Sequence, residues 1–129
     1  MKPQYTKNNT TTIVFTRLIA EIHSFPRVAI SVCLEKMLEA VPLMNMKVVG
    51  SDYVRNPPCA YVILATSHMA LHVLGRPRQL QRFAYLDIFT CGDVDVRKGY
   101  QYLKKQIGFS NDFVEVYREI KKFPKSSVS

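Results

Sequence analysis

Two stretches of this chain repeat their apolar residues at spacings of three and four, and everything ordered around them is strand-sized. Ile30, Cys33, Leu34, Met37, Leu38 and Val41 form the first stripe; Val96, Tyr100, Leu103 and Ile107 form the second. That period buries one side of a helix. The first helix is predicted to open at Pro26, where a missing N–H costs nothing, and to stop at Pro42. The second is predicted to be capped by Asp93 or Asp95 and to end at Gly108. Strands are predicted over 13–22, 46–53, 60 to about 74, 83–90 and 113–120, with a turn at Asn56, Pro57 and Pro58. The expected fold is an α/β chain of the α+β two-layer type. It is a ferredoxin-like β-α-β-β-α-β arrangement with one antiparallel sheet and both helices on one face.

Tyr61-Val62-Ile63-Leu64-Ala65 and Phe83-Ala84-Tyr85-Leu86 are apolar on both strand faces. Two helices cover one face only, so a second copy of the sheet is the expected cover for the other. A homodimer follows. The 129 residues, 47% hydrophobic and 22% charged, suit one domain over 13–122, between a flexible polar tail (1–12) and a flexible basic tail (123–129). No apolar run is long enough to span a membrane as a helix. Cys33, Cys59 and Cys91 are too widely spaced for a disulfide framework or a metal site, which points to a reducing, cytoplasmic setting. The net charge of +8 is spread along the chain, with knots at Arg76/Arg78/Arg82, Lys104/Lys105 and Lys121/Lys122/Lys125. A solvated surface accounts for it, and no aromatic RNA-binding signature accompanies it.

Two segments carry chemistry: Thr66-Ser67-His68-Met69-Ala70-Leu71-His72 and Phe89-Thr90-Cys91-Gly92-Asp93. Antiparallel pairing of their strands is expected to gather hydroxyl, imidazole and thiol into one pocket, a set suited to nucleophilic and acid–base work. From spacing alone, a structural histidine and a merely buried thiol are the commoner readings.

The pair of segments resembles the small, prokaryotic-type S-adenosylmethionine decarboxylases, whose motifs read roughly E-S-H-x-x-x-H-T-W-P-E and then D-x-F-T-C-G-D. The matches are Ser67, His68 and His72, then Asp87, Phe89, Thr90, Cys91, Gly92 and Asp93, within a weaker likeness over about residues 15 to 120. The resemblance implies a proenzyme that cuts itself between Thr66 and Ser67 and turns Ser67 into a pyruvoyl group. That group would hold the substrate's α-amine as a Schiff base and accept electrons as carbon dioxide leaves. It further implies His72 as the base of processing, Cys91 as the proton donor, and a place in polyamine (spermidine) synthesis.

The chain departs from the family at several points. Thr66 replaces the usual Glu before the serine, and Cys59 replaces a serine that assists processing; Thr66, Cys59 and His68 are the processing-related positions. The 57–58 turn is shorter, leaving Tyr53 as the nearby aromatic for substrate stacking. Val73-Leu74-Gly75-Arg76 stands where T-W-P-E belongs, so Arg76 takes the place of a substrate-gripping glutamate. Two alternatives stay open on these grounds: a pyruvoyl decarboxylase of another amino acid, such as arginine or ornithine, and a regulatory homologue that does not cleave.

Overall fold

The computed structural model describes residues 4–5, 10–75 and 82–124. Its elements run β1 (Gln4–Tyr5), β2 (Thr10–Phe25), α1 (Ile30–Ala40) with a 3-10 turn over Val41–Met44, β3 (Val48–Arg55), β4 (Pro58–Leu64), β5 (Ser67–Leu74), β6 (Arg82–Cys91), α2 (Val96–Leu103) with a π turn over Lys104–Gly108, and β7 (Ser110–Pro124). The long strands form one antiparallel sheet in the order β3-β4-β5-β6-β2-β7, and β1 adds a short pair at Thr11 and Thr12 of β2.

Side chains alternate across this sheet with period two, and one parity is buried. Leu18, Ala20 and Ile22 of β2, Ala60 and Val62 of β4, Met69, Leu71 and Val73 of β5, and Ala84, Leu86 and Ile88 of β6 lie under the helices. Cys33, Met37 and Ala40 of α1 and Val96, Tyr100 and Leu103 of α2 close that core from above. Burial pushes the Cys33 thiol up to about 11, so it stays a neutral core group. The two-layer α+β sandwich is therefore as expected.

Its element list is longer than predicted. The strand expected over 60 to 74 is two strands, folded back at Ala65 and Thr66 so that Leu64 faces Ser67 across a hairpin. Four strands thus separate the helices, where the ferredoxin-like order has two. Thr66 makes the fold-back with a left-handed φ of 65°.

The first helix begins at Ile30 rather than Pro26. Ala29 is extended (φ −60°, ψ 140°), and Arg82 Nη2 donates to the Pro26 and Val28 carbonyls at 2.9 and 3.4 Å. Those carbonyls would otherwise accept helical N–H groups from residues 30 and 32. Past the first helix, Pro42 falls in the 3-10 turn that ends it. Asp95, not Asp93, caps α2, accepting from the Lys98 N–H at 3.3 Å; Gly108 ends the following turn at φ 86°. Both predicted tails are shorter than expected, because Thr10 pairs with Pro124 and Thr11 with Phe123. The remaining tail residues lie outside the described residues, apart from β1.

The second face of the sheet carries no helix. Tyr61, Ile63, Phe83, Tyr85 and Tyr117 are each about 37–43% exposed on it. The sequence anticipated this uncovered apolar face.

Candidate functional site

Ser67 is the first residue of β5, and the turn before it has unusual chemistry. A two-residue hairpin turn with a positive φ at its second position ordinarily takes Gly or Asn there. Thr66 is β-branched, and its left-handed conformation costs about 1–2 kcal/mol. The strain sits on the residue whose carbonyl begins the Thr66–Ser67 peptide bond.

Ser67 is only 7% exposed, and its Oγ accepts a hydrogen bond from the Cys91 N–H at 3.2 Å. Cys91 ends β6, opposite Phe15 of β2. A hydroxyl latch holds that strand end in place. Thr90 Oγ1 donates to the Thr16 carbonyl at 3.0 Å, Thr16 Oγ1 donates to the Gly92 carbonyl at 2.8 Å, and the Gly92 N–H donates to the Val14 carbonyl at 2.6 Å. Gly92 sits at φ 122°, a backbone state in which a side chain would be strained. Thr16 and Thr90 are buried, so their hydroxyls have no water to turn to. Sequence reading missed the latch; two threonines on adjacent strands were its only sign.

His68 follows Ser67 on the open face, pairs in register with Phe89, and lies nearly parallel to that ring at 5.5 Å between centroids. Phe89 in turn lies 5.4 Å from Phe15. These two aromatics begin a groove of about 660 Å³ along the open face, walled also by Phe123 and Tyr117 and carrying Arg17, Glu119 and Lys121. Arg17 is tied to Asp87 by two hydrogen bonds, at 2.8 and 3.1 Å.

The expected gathering of hydroxyl, imidazole and thiol is not met within one chain. Ser67 Oγ meets the backbone N–H of Cys91, while the Cys91 side chain shares the parity of Phe89 and Asp87 and not that of the buried Thr90. His72 does not join them. Five residues along a strand span about 16 Å, and an odd spacing puts the two side chains on opposite faces. His72 instead stands directly across from Cys59 on β4 and Tyr85 on β6. Cys59 and His72, two of the residues linked to processing by resemblance, are thus neighbours of each other, far from Ser67. Burial pushes the Cys59 thiol up, which favours its neutral form.

Tyr53 is also displaced from the site. Alternation on β3 turns Asp52 and Val54 to the open face and Tyr53 to the helix side, where it packs against the core with the Arg55 guanidinium 6.0 Å from its ring. Arg76 and Arg78 lie outside the described residues. Among the described residues no cluster of His, Cys, Asp or Glu is placed to hold a metal, and no helix is long and apolar enough to cross a membrane.

No curated protein matches the chain significantly. Among solved structures, the adenosylmethionine decarboxylase from Aquifex aeolicus superposes with a TM-score of 0.63 at 22% identity, covering 81% of this chain and 89% of that one. That likeness establishes the shared fold. The sequence profile of S-adenosylmethionine decarboxylase matches residues 16–119, a span that takes in Ser67, His72, Cys91 and the Thr16 latch. By that match over most of its length, the chain belongs to the S-adenosylmethionine decarboxylase family.

Proposed function

We propose that this protein is a pyruvoyl-dependent S-adenosylmethionine decarboxylase, made as a proenzyme that cuts itself between Thr66 and Ser67. The observation that carries the reading is the strained Thr66 directly before a buried Ser67. Attack of Ser67 Oγ on the Thr66 carbonyl carbon moves the acyl group from nitrogen to oxygen and releases the left-handed turn, so the stored strain favours the ester. A base must then remove the Ser67 Cα proton to expel the Thr66 carboxylate. Ser67 Oγ leaves with that carboxylate, and water hydrolyses the dehydroalanine left behind with release of ammonia, so the keto oxygen of the group comes from water. The Cys91 N–H, which donates to Ser67 Oγ, is placed to hold the departing oxygen. A pyruvoyl group at that position supplies an electron sink for loss of carbon dioxide from an α-amino acid.

Cys91 is the proton donor in this reading, held next to Ser67 by the threonine latch. His72 is the base of processing, and it acts on a second copy. Its separation from Ser67 in its own chain is several times hydrogen-bond reach, and the uncovered apolar face gives a second copy a place to dock. A homodimer with stacked sheets would roof the aromatic groove, where Phe15, Phe89 and Phe123 offer flat apolar walls for an adenosyl moiety; Glu119, paired with Lys121 at 3.3 Å, would exchange that partner for a sulfonium. The product fits a role as aminopropyl donor in spermidine synthesis, and three free cysteines fit a cytoplasmic enzyme.

A second reading keeps the chemistry and changes the substrate to arginine or ornithine. It is favoured by Val73-Leu74-Gly75-Arg76 in place of the family's T-W-P-E. Release of carbon dioxide from each candidate amino acid separates the two. The deciding test of the whole reading is intact mass. Purified protein should contain fragments 1–66 and 67–129, the second blocked at its first residue, while Ser67→Ala should give one full-length species. Wild-type protein that stays uncut under every condition tried leaves the non-cleaving regulatory homologue.

A further inference from the structure

The end of the sheet away from Ser67 holds a second cleft, of about 360 Å³, that the decarboxylation reading does not use. It lies on the helix side, between the start of α1 and the β3–β4 hairpin, and is lined by Ile30, Ser31, Arg55, Pro58 and Arg82 among others. None of its lining residues carries a carboxylate, and neither arginine forms an ion pair among the described residues. Two guanidiniums therefore face one small space without a counter-charge.

Arg82 is held there by the fold. Its Nη2 spans the Pro26 and Val28 carbonyls, which fixes the plane of the guanidinium. Its Nε is buried and has no hydrogen-bond partner among the described residues. A buried donor on a cation is costly to leave unpaired, more so than a neutral one. Arg55 approaches from the hairpin, exposed, with its guanidinium 6.0 Å from the Tyr53 ring and no hydrogen bond among the described residues, so its fork can turn into the cleft. The surroundings reinforce the same sign: Ala29 offers no capping side chain, the first turn of α1 holds no acid, and the Ser31 hydroxyl adds a neutral donor.

We propose that this cleft is a binding site for a small phosphate-class oxyanion, gripped by the Arg55 and Arg82 guanidiniums. Two positive charges, that of Arg82 held in place, are balanced by a dianion better than by a single carboxylate, and the fork geometry of arginine suits two oxygens of one phosphate. The cleft admits free phosphate or the phosphate of a small monoester. The site is independent of the decarboxylase reading and stands or falls separately from it.

Titration calorimetry on the full chain tests it, with sodium phosphate and with glycerol 1-phosphate as probes, ionic strength being held constant with chloride. Saturable binding is expected at one anion per chain with Kd of about 1 mM or tighter. Arg55→Gln, at an exposed position, should weaken it about tenfold, the scale of one lost charge-assisted contact. Lys122→Gln, at the far end of β7, should leave it unchanged. Tighter binding of the monoester assigns the site to a phosphorylated metabolite, and tighter binding of inorganic phosphate to the free ion; either supports the site. Absence of saturable heat with both probes overturns the proposal. So does equal weakening by Arg55→Gln and Lys122→Gln, which would mark diffuse attraction to a basic protein.

Discussion

If His72 serves the Ser67 of a second copy, two chains that each fail to cut should rescue one another. The perturbation is co-expression of Ser67→Ala, which keeps His72, with His72→Ala, which keeps Ser67. Within one chain the two residues are about 16 Å apart along β5, against about 3 Å for proton transfer, so side-chain motion does not bridge them. In a symmetric pair each complete site takes Ser67 from one copy and His72 from the other. A mixed pair then holds one complete site and one doubly defective site. With equal expression and random pairing, about half of the His72→Ala chains have a Ser67→Ala partner, so up to about half of them should be cut. Intact mass reads this directly, because the fragments carry the mass of the His72→Ala chain. Neither variant should cut when expressed alone. Two results refute the reasoning: cutting of His72→Ala by itself at the wild-type rate, which removes His72 from the chemistry, and no cutting in the mixture, which removes the exchange between copies.

Thr16→Val takes away the donor to the Gly92 carbonyl while keeping shape; losing this part-buried hydrogen bond should cost about 1 kcal/mol, to be read from the urea midpoint. The same variant should slow cutting, since the strand end bearing Cys91 loosens. At Asp112, burial pushes the carboxyl up, but hydrogen bonds from Lys104 and Tyr100 outweigh it and hold the group below its ordinary value. A depressed carboxyl lends stability above its unfolded pKa of about 4 and loses it as pH falls through the folded value. Asp112→Asn should therefore flatten the acid side of the stability–pH curve below about pH 4, and unchanged curvature would count against the clamp.

The helices were legible because their stripes obey a single period, and Gly108 and Asp95 are the residues that helix ends call for. The site was legible as a list of residues and not as a constellation. Thr66 gave no turn signal, since a β-branched residue is among the least expected at positive φ; the fold-back was hidden by the residue that makes it unusual. The separation of His72 from Ser67 was available in principle from strand arithmetic, an odd spacing of five on a rise of about 3.3 Å. Likewise Tyr53 shares its parity with the buried side and not with Asp52. The early end of the predicted helix could not be seen, because the carbonyls of Pro26 and Val28 are claimed by Arg82, a residue distant in sequence. The threonine latch was unreadable for the same reason.

The order of strands has a consequence for a protein nicked at the β4–β5 turn. Across the sheet, β3 and β4 come from the leading fragment, β5 and β6 from the trailing one, β2 again from the leading one, and β7 from the trailing one. The two pieces are interleaved, with β2 clasped on both sides by strands of its counterpart over most of its length. Severing the chain there frees two new ends without opening a seam along which the halves could part. Such a molecule would travel as one particle until denatured, and neither half alone would have a sheet to fold onto.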